Sequence, residues 1–216
     1  TWFTELADDT EAGVVMRQIY SLQHELSKPW YDGKYDCFRY AETGEIGSQY
    51  AGAFVMDKAP VIDPGKYLAW LYKQVVAAGV KFEKRVIKQL AGAPAEFDVV
   101  VNCAGLDARE LANDSKVFAV RLQVLRIKQK GFDKAFFDDS GPTALVPHED
   151  HIRIGSIYEE RKETLEVDES LNEGILARVR AMIPGFQVEL DDIISTTRVL
   201  RPEREGWHIQ VEKDEH

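Results

Sequence analysis

Asp98-Val-Val-Val-Asn-Cys-Ala-Gly105 is the stretch on which the fold class turns. Three successive β-branched residues without polar alternation predict a short strand buried on both faces, as in a parallel sheet covered by helices. The small Ala104-Gly105 pair follows at the carboxyl end of that strand. Open α/β sheets place ligands there, and residues without bulk let the backbone approach a cofactor. Gly105 serves a plain tight turn equally well. Cys103, at the end of a buried strand with no basic neighbour in sequence, reads as an inert thiol.

Working outward, Val80–Leu90 predicts a second strand before this one, reached from a helix that opens at Asp63-Pro64. An Asp N-cap followed by Pro satisfies and pre-shapes a helix start. That helix is expected to run to Ala78, bury Leu68, Leu71 and Val75, and stop at Gly79. Upstream, Trp2, Phe3 and Leu6 share a helical face that Gly13 ends, and Val14–Leu26 reads as strand. Downstream, Val120–Ile127, Ala144–Val146, His151–Tyr158 and Thr196–Leu200 predict short strands separated by turn residues, which favours an antiparallel sheet. One helix from about Asp168 to Met182 presents Leu171, Ile175, Leu176 and Val179, and Pro184-Gly185 terminates it. The expected class is mixed α/β, with an α/β layer over residues 1–115 interleaved with a mainly antiparallel lobe over 116–216.

The chain has 216 residues, 44% hydrophobic and 30% charged, which is ordinary globular composition with ample length for a core. A formal charge of -10 argues against a nucleic-acid or anionic-membrane binder. No apolar run reaches membrane-span length. With only Cys37 and Cys103, no disulfide framework is indicated, and a soluble protein of a reducing intracellular compartment is expected.

Arg198-Val-Leu-Arg201-Pro-Glu-Arg204 precedes the alternating run Trp207-His-Ile-Gln-Val211 and places permanent charges beside a strand that reads as half buried. A guanidinium offers a planar fork matched to a carboxylate, so Arg201 suits the acid end of a small molecule, while pairing with surface carboxylates is the alternative. His148-Glu-Asp-His151 reads as a hairpin turn, with a metal site as the other reading. Asp138-Asp139 before Ser140-Gly-Pro142 reads as a turn rather than a calcium ligand pair. Trp30, Tyr31, Tyr35 and Phe38 form either a satellite core or a pocket lining.

Val99-Val-Val-Asn-Cys-Ala-Gly-Leu106, Ala108-Arg-Glu-Leu111, Val120-Arg-Leu-Gln-Val124, Phe136-Phe-Asp-Asp-Ser-Gly-Pro142, Leu145-Val-Pro147, Ile154-Gly155 and Leu200-Arg-Pro-x-Arg204 occur in this order. With Glu5-Leu-Ala-Asp-Asp and Ile62-Asp-Pro-x-x-Tyr-Leu-x-Trp-Leu71, they make the chain resemble the D-amino-acid oxidase and D-aspartate oxidase family of FAD-dependent oxidoreductases. The resemblance implies oxidative deamination of a D-amino acid, with FAD lying against Val86, Ala104 and Gly105. It implies that Arg201 binds the substrate carboxylate, that Arg204 is structural and that Arg121 belongs to a buried ion pair; it carries over no catalytic side chain and no metal. It further implies a peroxisome or the cytoplasm, and is compatible with a homodimer. Four positions depart from the family pattern. Ala144 stands where a tyrosine is expected, Leu122 and Ser156 replace glycines, and Glu205-Gly206 replaces a proline. No Gly-x-Gly-x-x-Gly and no C-terminal glycine-rich segment appear, so the chain is expected to be either part of an oxidase or a natural short protein that has lost its flavin site. On that reading the isolated chain holds FAD poorly and shows no turnover. A non-catalytic binding or structural protein on the same scaffold is the competing expectation.

Overall fold

The structure, a computed structural model, describes residues 2–89 and 97–206, and the chain divides into two compact units. The first comprises residues 1–82, 123–157 and 166–198; the second comprises 83–122, 158–165 and 199–216. The alternating run after Gly206 lies outside the described residues.

The first unit is organised by strand β1, Val14–Gln23. On one edge it pairs antiparallel with β3, Gly52–Ile62, from Val14 opposite Ile62 to Gln23 opposite Gly52, with an irregularity between Arg17 and Ile19. On the other edge it pairs in parallel with β5, Lys134–Asp138. Strand β2, Phe38–Tyr40, lies antiparallel on β3. Beyond β5 come β6, Ala144–Pro147, and β7, His151–Glu160, both antiparallel. β4, Val117–Lys128, and β8, Ile193–Arg204, complete an eight-stranded sheet in the order β2-β3-β1-β5-β6-β7-β4-β8. Every strand has residues in the first unit.

Alternation decides which face is buried. Leu125 and Ile127 of β4 and Ile152 and Ile154 of β7 are fully enclosed with Tyr20, Leu22, Leu145 and helix α4, Asn172–Met182. Ile175, Leu176 and Val179 are its buried stripe, as the spacing predicts; Leu171 lies in the 3-10 turn that leads into it. Gln123 is buried but fully employed. Its Nε2 donates to Asp168 O at 2.8 Å and to Asn172 Oδ1 at 2.9 Å, and its Oε1 accepts from Asp168 N at 3.2 Å, so the entry to α4 is tied to β4.

A second cluster joins α1, Trp2–Leu6, to α2, Pro64–Ala77. Asp63 caps α2 as expected, its Oδ1 accepting from Gly65 N at 2.9 Å and Lys66 N at 3.3 Å. The buried residue of α2 is Trp70, whose Nε1 donates to Asp9 Oδ2 at 2.8 Å, whereas Leu68 is exposed and Leu71 and Val75 are partly covered. The indole owns the contact because its polar tip finds a carboxylate while its body meets Leu6 and Val14. Gly13, in the left-handed region at φ +66°, faces this helix: a Cβ there would sit 2.4 Å from Lys66 Cβ.

The described parts of Val80–Leu90, which crosses into the second unit at Glu83, and of Asp98–Asn102 within it form no strand, contrary to the sequence reading. Val99, Val100 and Val101 are exposed, as is Cys103, which is therefore not a buried thiol. A β-branched run becomes a strand only when a ladder partner takes up its backbone groups, and no described strand offers one. α3, Ala108–Leu111, follows a 3-10 turn at Gly105–Asp107. The mixed α/β class holds, built on one mixed sheet.

Candidate active site

Val86 and Ala104 are brought to one cavity of about 850 Å³ in the second unit, which Asn102, Cys103 and Leu111 also line. Asn102 Oδ1 accepts from Ala104 N at 3.1 Å, and this side-chain turn feeds the 3-10 turn at Gly105. Gly105 takes φ +61°, yet a Cβ there would meet nothing within 4 Å, so the demand is for backbone conformation rather than space. It lines a different cavity of about 490 Å³, with Val117, Pro202, Glu203 and Arg204. The lining of the larger cavity joins the exposed apolar side chains of Val86, Val100 and Val101 to the charged Arg85, Lys88, Asp107 and Glu110. The sequence supplies no glycine-rich amide cradle for the pyrophosphate of a dinucleotide.

Arg201 lies in the same unit, about half exposed, its Nη2 engaged by Glu203 and its guanidinium 5.7 Å from the Tyr158 ring centroid. Tyr158 donates to Glu203 Oε2 at 2.6 Å. This hydrogen bond, with the Arg201 charge, holds the Glu203 carboxyl below its usual range, and the same bond raises the Tyr158 phenol. The fork of Arg201 is thus engaged by an internal carboxylate. Arg204 donates through Nε to Asp114 Oδ2 at 2.7 Å, a structural pair. Arg121 meets Glu159 through two hydrogen bonds, Nε to Oε2 at 3.0 Å and Nη2 to Oε1 at 2.9 Å, with little of the guanidinium exposed.

Ala144 lies in the first unit and lines a cavity of about 370 Å³ with Ile62, Phe137, Val146, Arg153 and Ser156. The register sets Ala144 opposite Gly155 and Val146 opposite Arg153, so β6 and β7 present these four on one face. Arg153 was not singled out from the sequence, although a charge between the buried Ile152 and Ile154 in an alternating strand marks a residue on the opposite face. Among the described residues no hydrogen bond or ion pair engages its guanidinium. Ser156 is buried; its Oγ donates to Pro142 O at 3.3 Å, and its carbonyl accepts from Arg178 Nη2 at 2.7 Å.

The remaining candidates lie in turns and packed clusters. His148 N donates to His151 O at 2.8 Å and closes the β6–β7 hairpin, with the two rings stacked at 4.5 Å. Asp138 is taken up by Ser140 N at 2.9 Å and by the Tyr50 hydroxyl at 2.8 Å. Tyr31 and Phe38 pack edge to face at 5.4 Å in a satellite core with Phe54, while Trp30 and Tyr35 are exposed.

The family model described as FAD dependent oxidoreductase, DAO, matches residues 4–211. The chain is 31% identical over 216 residues to a D-amino-acid oxidase of Rubrobacter xylanophilus, covering 98% of this chain and 65% of that protein. It is 35% identical over 146 residues to the D-aspartate oxidase of Homo sapiens, covering 68% of this chain and 42% of that protein. The chain thus spans less than two thirds of the length of these curated relatives. Among solved structures, glycine oxidase from Geobacillus kaustophilus superposes with a TM-score of 0.76 at 16% identity, over 99% of this chain and 67% of that one. That likeness concerns the fold. Among the described residues no helix is long and apolar enough to cross a membrane.

Proposed function

Because the chain belongs to the DAO family of FAD-dependent oxidoreductases, for which FAD is the cofactor, we propose that it serves the oxidative deamination of a D-amino acid to a 2-oxo acid, ammonia and hydrogen peroxide. FAD, when bound, supplies the two-electron acceptor. Val86 and Ala104 would lie against it, with Gly105 shaping the turn that follows. Arg201 would take the substrate carboxylate once Glu203 releases it, fixing the α-carbon's orientation; such positioning needs no protein base of special pKa.

The observation that carries the substrate class is a guanidinium beside an apolar cavity. Such a cavity selects a small acid with an apolar side chain, since the charged head needs a planar donor fork and the remainder needs only desolvation. Arg153 on β7 lines such a cavity, while Arg201, on the family motif in the other unit, has the Tyr158 ring beside it. Titration with benzoate separates them. Affinity lost in Arg201→Ala, with Arg153→Ala unaffected, supports the reading; loss only in Arg153→Ala moves the carboxylate site to the cavity beside Ala144, and loss in neither removes both.

A second reading, a non-catalytic acid-binding protein, is favoured by two particulars. Ala144 lacks the phenol that the family pattern places there, and Glu203 occupies the fork of Arg201. Coupled-peroxidase assays over neutral and acidic D-amino acids with added FAD decide between the two. Stereospecific peroxide that disappears in Arg201→Ala supports the oxidase, and carboxylate binding without peroxide supports the binder.

A further inference from the structure

We propose that Asp63, His148 and His151 form a binding site for a divalent first-row transition metal ion of the Zn2+ class. One ligand atom from each residue lies within 4.8 Å of the other two, and all three residues belong to the first unit. The site is assembled from the N-cap of α2 and the hairpin between β6 and β7, elements distant in sequence but fixed by their own backbone hydrogen bonds.

His148 carries the argument. It is 2% exposed, and neither Nδ1 nor Nε2 has a hydrogen-bond partner. Buried polar atoms are nearly always satisfied, so a ring with two idle nitrogens calls for a ligand or another explanation.

The partners are prepared in the way metal ligands are. His151 is buried, and its Nδ1 lies 2.7 Å from Asp150 Oδ1, the carboxylate–histidine arrangement that fixes a tautomer and leaves Nε2 for an ion. Asp150 is itself held by Arg126 at 3.3 Å. Asp63 spends Oδ1 on the helix cap, which fixes its carboxylate and leaves Oδ2. Lys66, the adjacent ammonium, is engaged by Glu149 at 2.9 Å. Two imidazoles and one carboxylate are a borderline-soft donor set, better suited to zinc or its neighbours than to calcium or magnesium. A cavity of about 90 Å³ bounded by Asp63 and His148 gives room for a water as fourth ligand.

Closure asks for a rotation. The two rings are stacked, 18° from parallel, so their in-plane lone pairs converge on one ion when the rings turn about χ2. With no hydrogen bond on the His148 ring, its rotation breaks none. Among the described residues a second His–carboxylate group, His24 with Asp138 and Asp139, has an exposed histidine, and Asp138 already accepts from Ser140 and Tyr50, so it serves as the control.

The test is equilibrium dialysis of the chelator-treated full chain against Zn2+, with Co2+ as spectroscopic probe. One saturable equivalent is expected, with the visible d–d bands of a four- or five-coordinate cobalt ion. Affinity should fall at least tenfold in His148→Ala and in His151→Ala, fall about tenfold in Asp150→Asn through loss of the orienting carboxylate, and stay unchanged in His24→Ala. Wild-type protein alone suffices if the variants fold poorly, because Zn2+ that binds only the folded state raises its Tm. Absence of saturable uptake and of any Tm shift overturns the site. So does undiminished uptake in the folded double variant His148→Ala/His151→Ala, or uptake that disappears in His24→Ala.

Discussion

Leu125 and Ile127 on β4 are fully buried, whereas Val99 and Val101 in the second unit are each 76% exposed, although the valine run is the more continuously apolar of the two. The difference lies in what surrounds them. β4 stands in a sheet beside β7 and meets α4 on its inner face, while the valine run has no described strand beside it. Hydrophobicity sets a segment's demand for burial, and neighbours decide whether that demand is met.

Substitutions sharpen this contrast most in the core. Leu125→Ala is expected to cost about 2–5 kcal/mol by denaturant unfolding, because the tightly packed face cannot collapse around the void. Val99→Ala and Val101→Ala should each stay within about 0.5 kcal/mol, as exposed substitutions do. A loss above about 2 kcal/mol at either valine would show that the run is covered in solution and would break the comparison.

Next in size is Gly13→Ala. A Cβ 2.4 Å from Lys66 Cβ, at φ +66°, strains both the turn and its packing on α2, and a loss of about 1–3 kcal/mol is expected. A neutral outcome in the melting curve would mean that α2 shifts freely.

Acid should then weaken the first unit by a smaller amount through Glu45. Hydrogen bonds from Arg39 Nη1 at 2.7 Å and Nη2 at 2.8 Å, helped by Glu42 N, lower its pKa from 4.5 to about 2. A depressed carboxyl contributes stability that is complete above its unfolded value and is lost as pH falls through its folded one. The loss should therefore develop between pH 4.5 and about pH 2. Glu45→Gln should flatten that part of the stability profile; an unchanged slope would remove this pair from the account.

The smallest stability effect is expected at Arg201, where Arg201→Ala should leave the Tm nearly unchanged, since the group is half exposed and its pairing with Glu203 is screened. The same unit should release FAD on desalting of the isolated chain, because the sequence lacks the glycine-rich amide cradle for the pyrophosphate. Stoichiometric flavin absorbance retained by the protein would show that other residues replace it.

Much of the first unit was legible in the sequence. Asp63-Pro64, the stripe of α4 and the alternation of β4 and β7 each combine a pattern with its own local physics, so neighbours only reinforce them. β3 escaped because Asp57-Lys58 and Pro60 interrupt its alternation, and β5 because Phe136-Phe137-Asp138 reads as the edge of a turn. Leu68 was misplaced since sequence period alone does not say that Trp70 has a carboxylate waiting at Asp9. Of the candidate site, Arg121 and Arg204 found carboxylates as their family positions implied. Arg153 and the meeting of Asp63 with His148 and His151 depend on strand register and helix placement, which no local window contains.

β1 lies between β3 and β5, and its ladder with β5 joins Gln18 to Lys134 and Leu22 to Asp138. On a ribosome, β1 and β3 can meet early, but the other edge of β1 stays bare until the far partner has been synthesised. An exposed strand edge is a template for intermolecular pairing. Expression yield should therefore depend on how long nascent chains linger with that edge open, and slower translation between Ile62 and Lys134 would send more of the product into inclusion bodies.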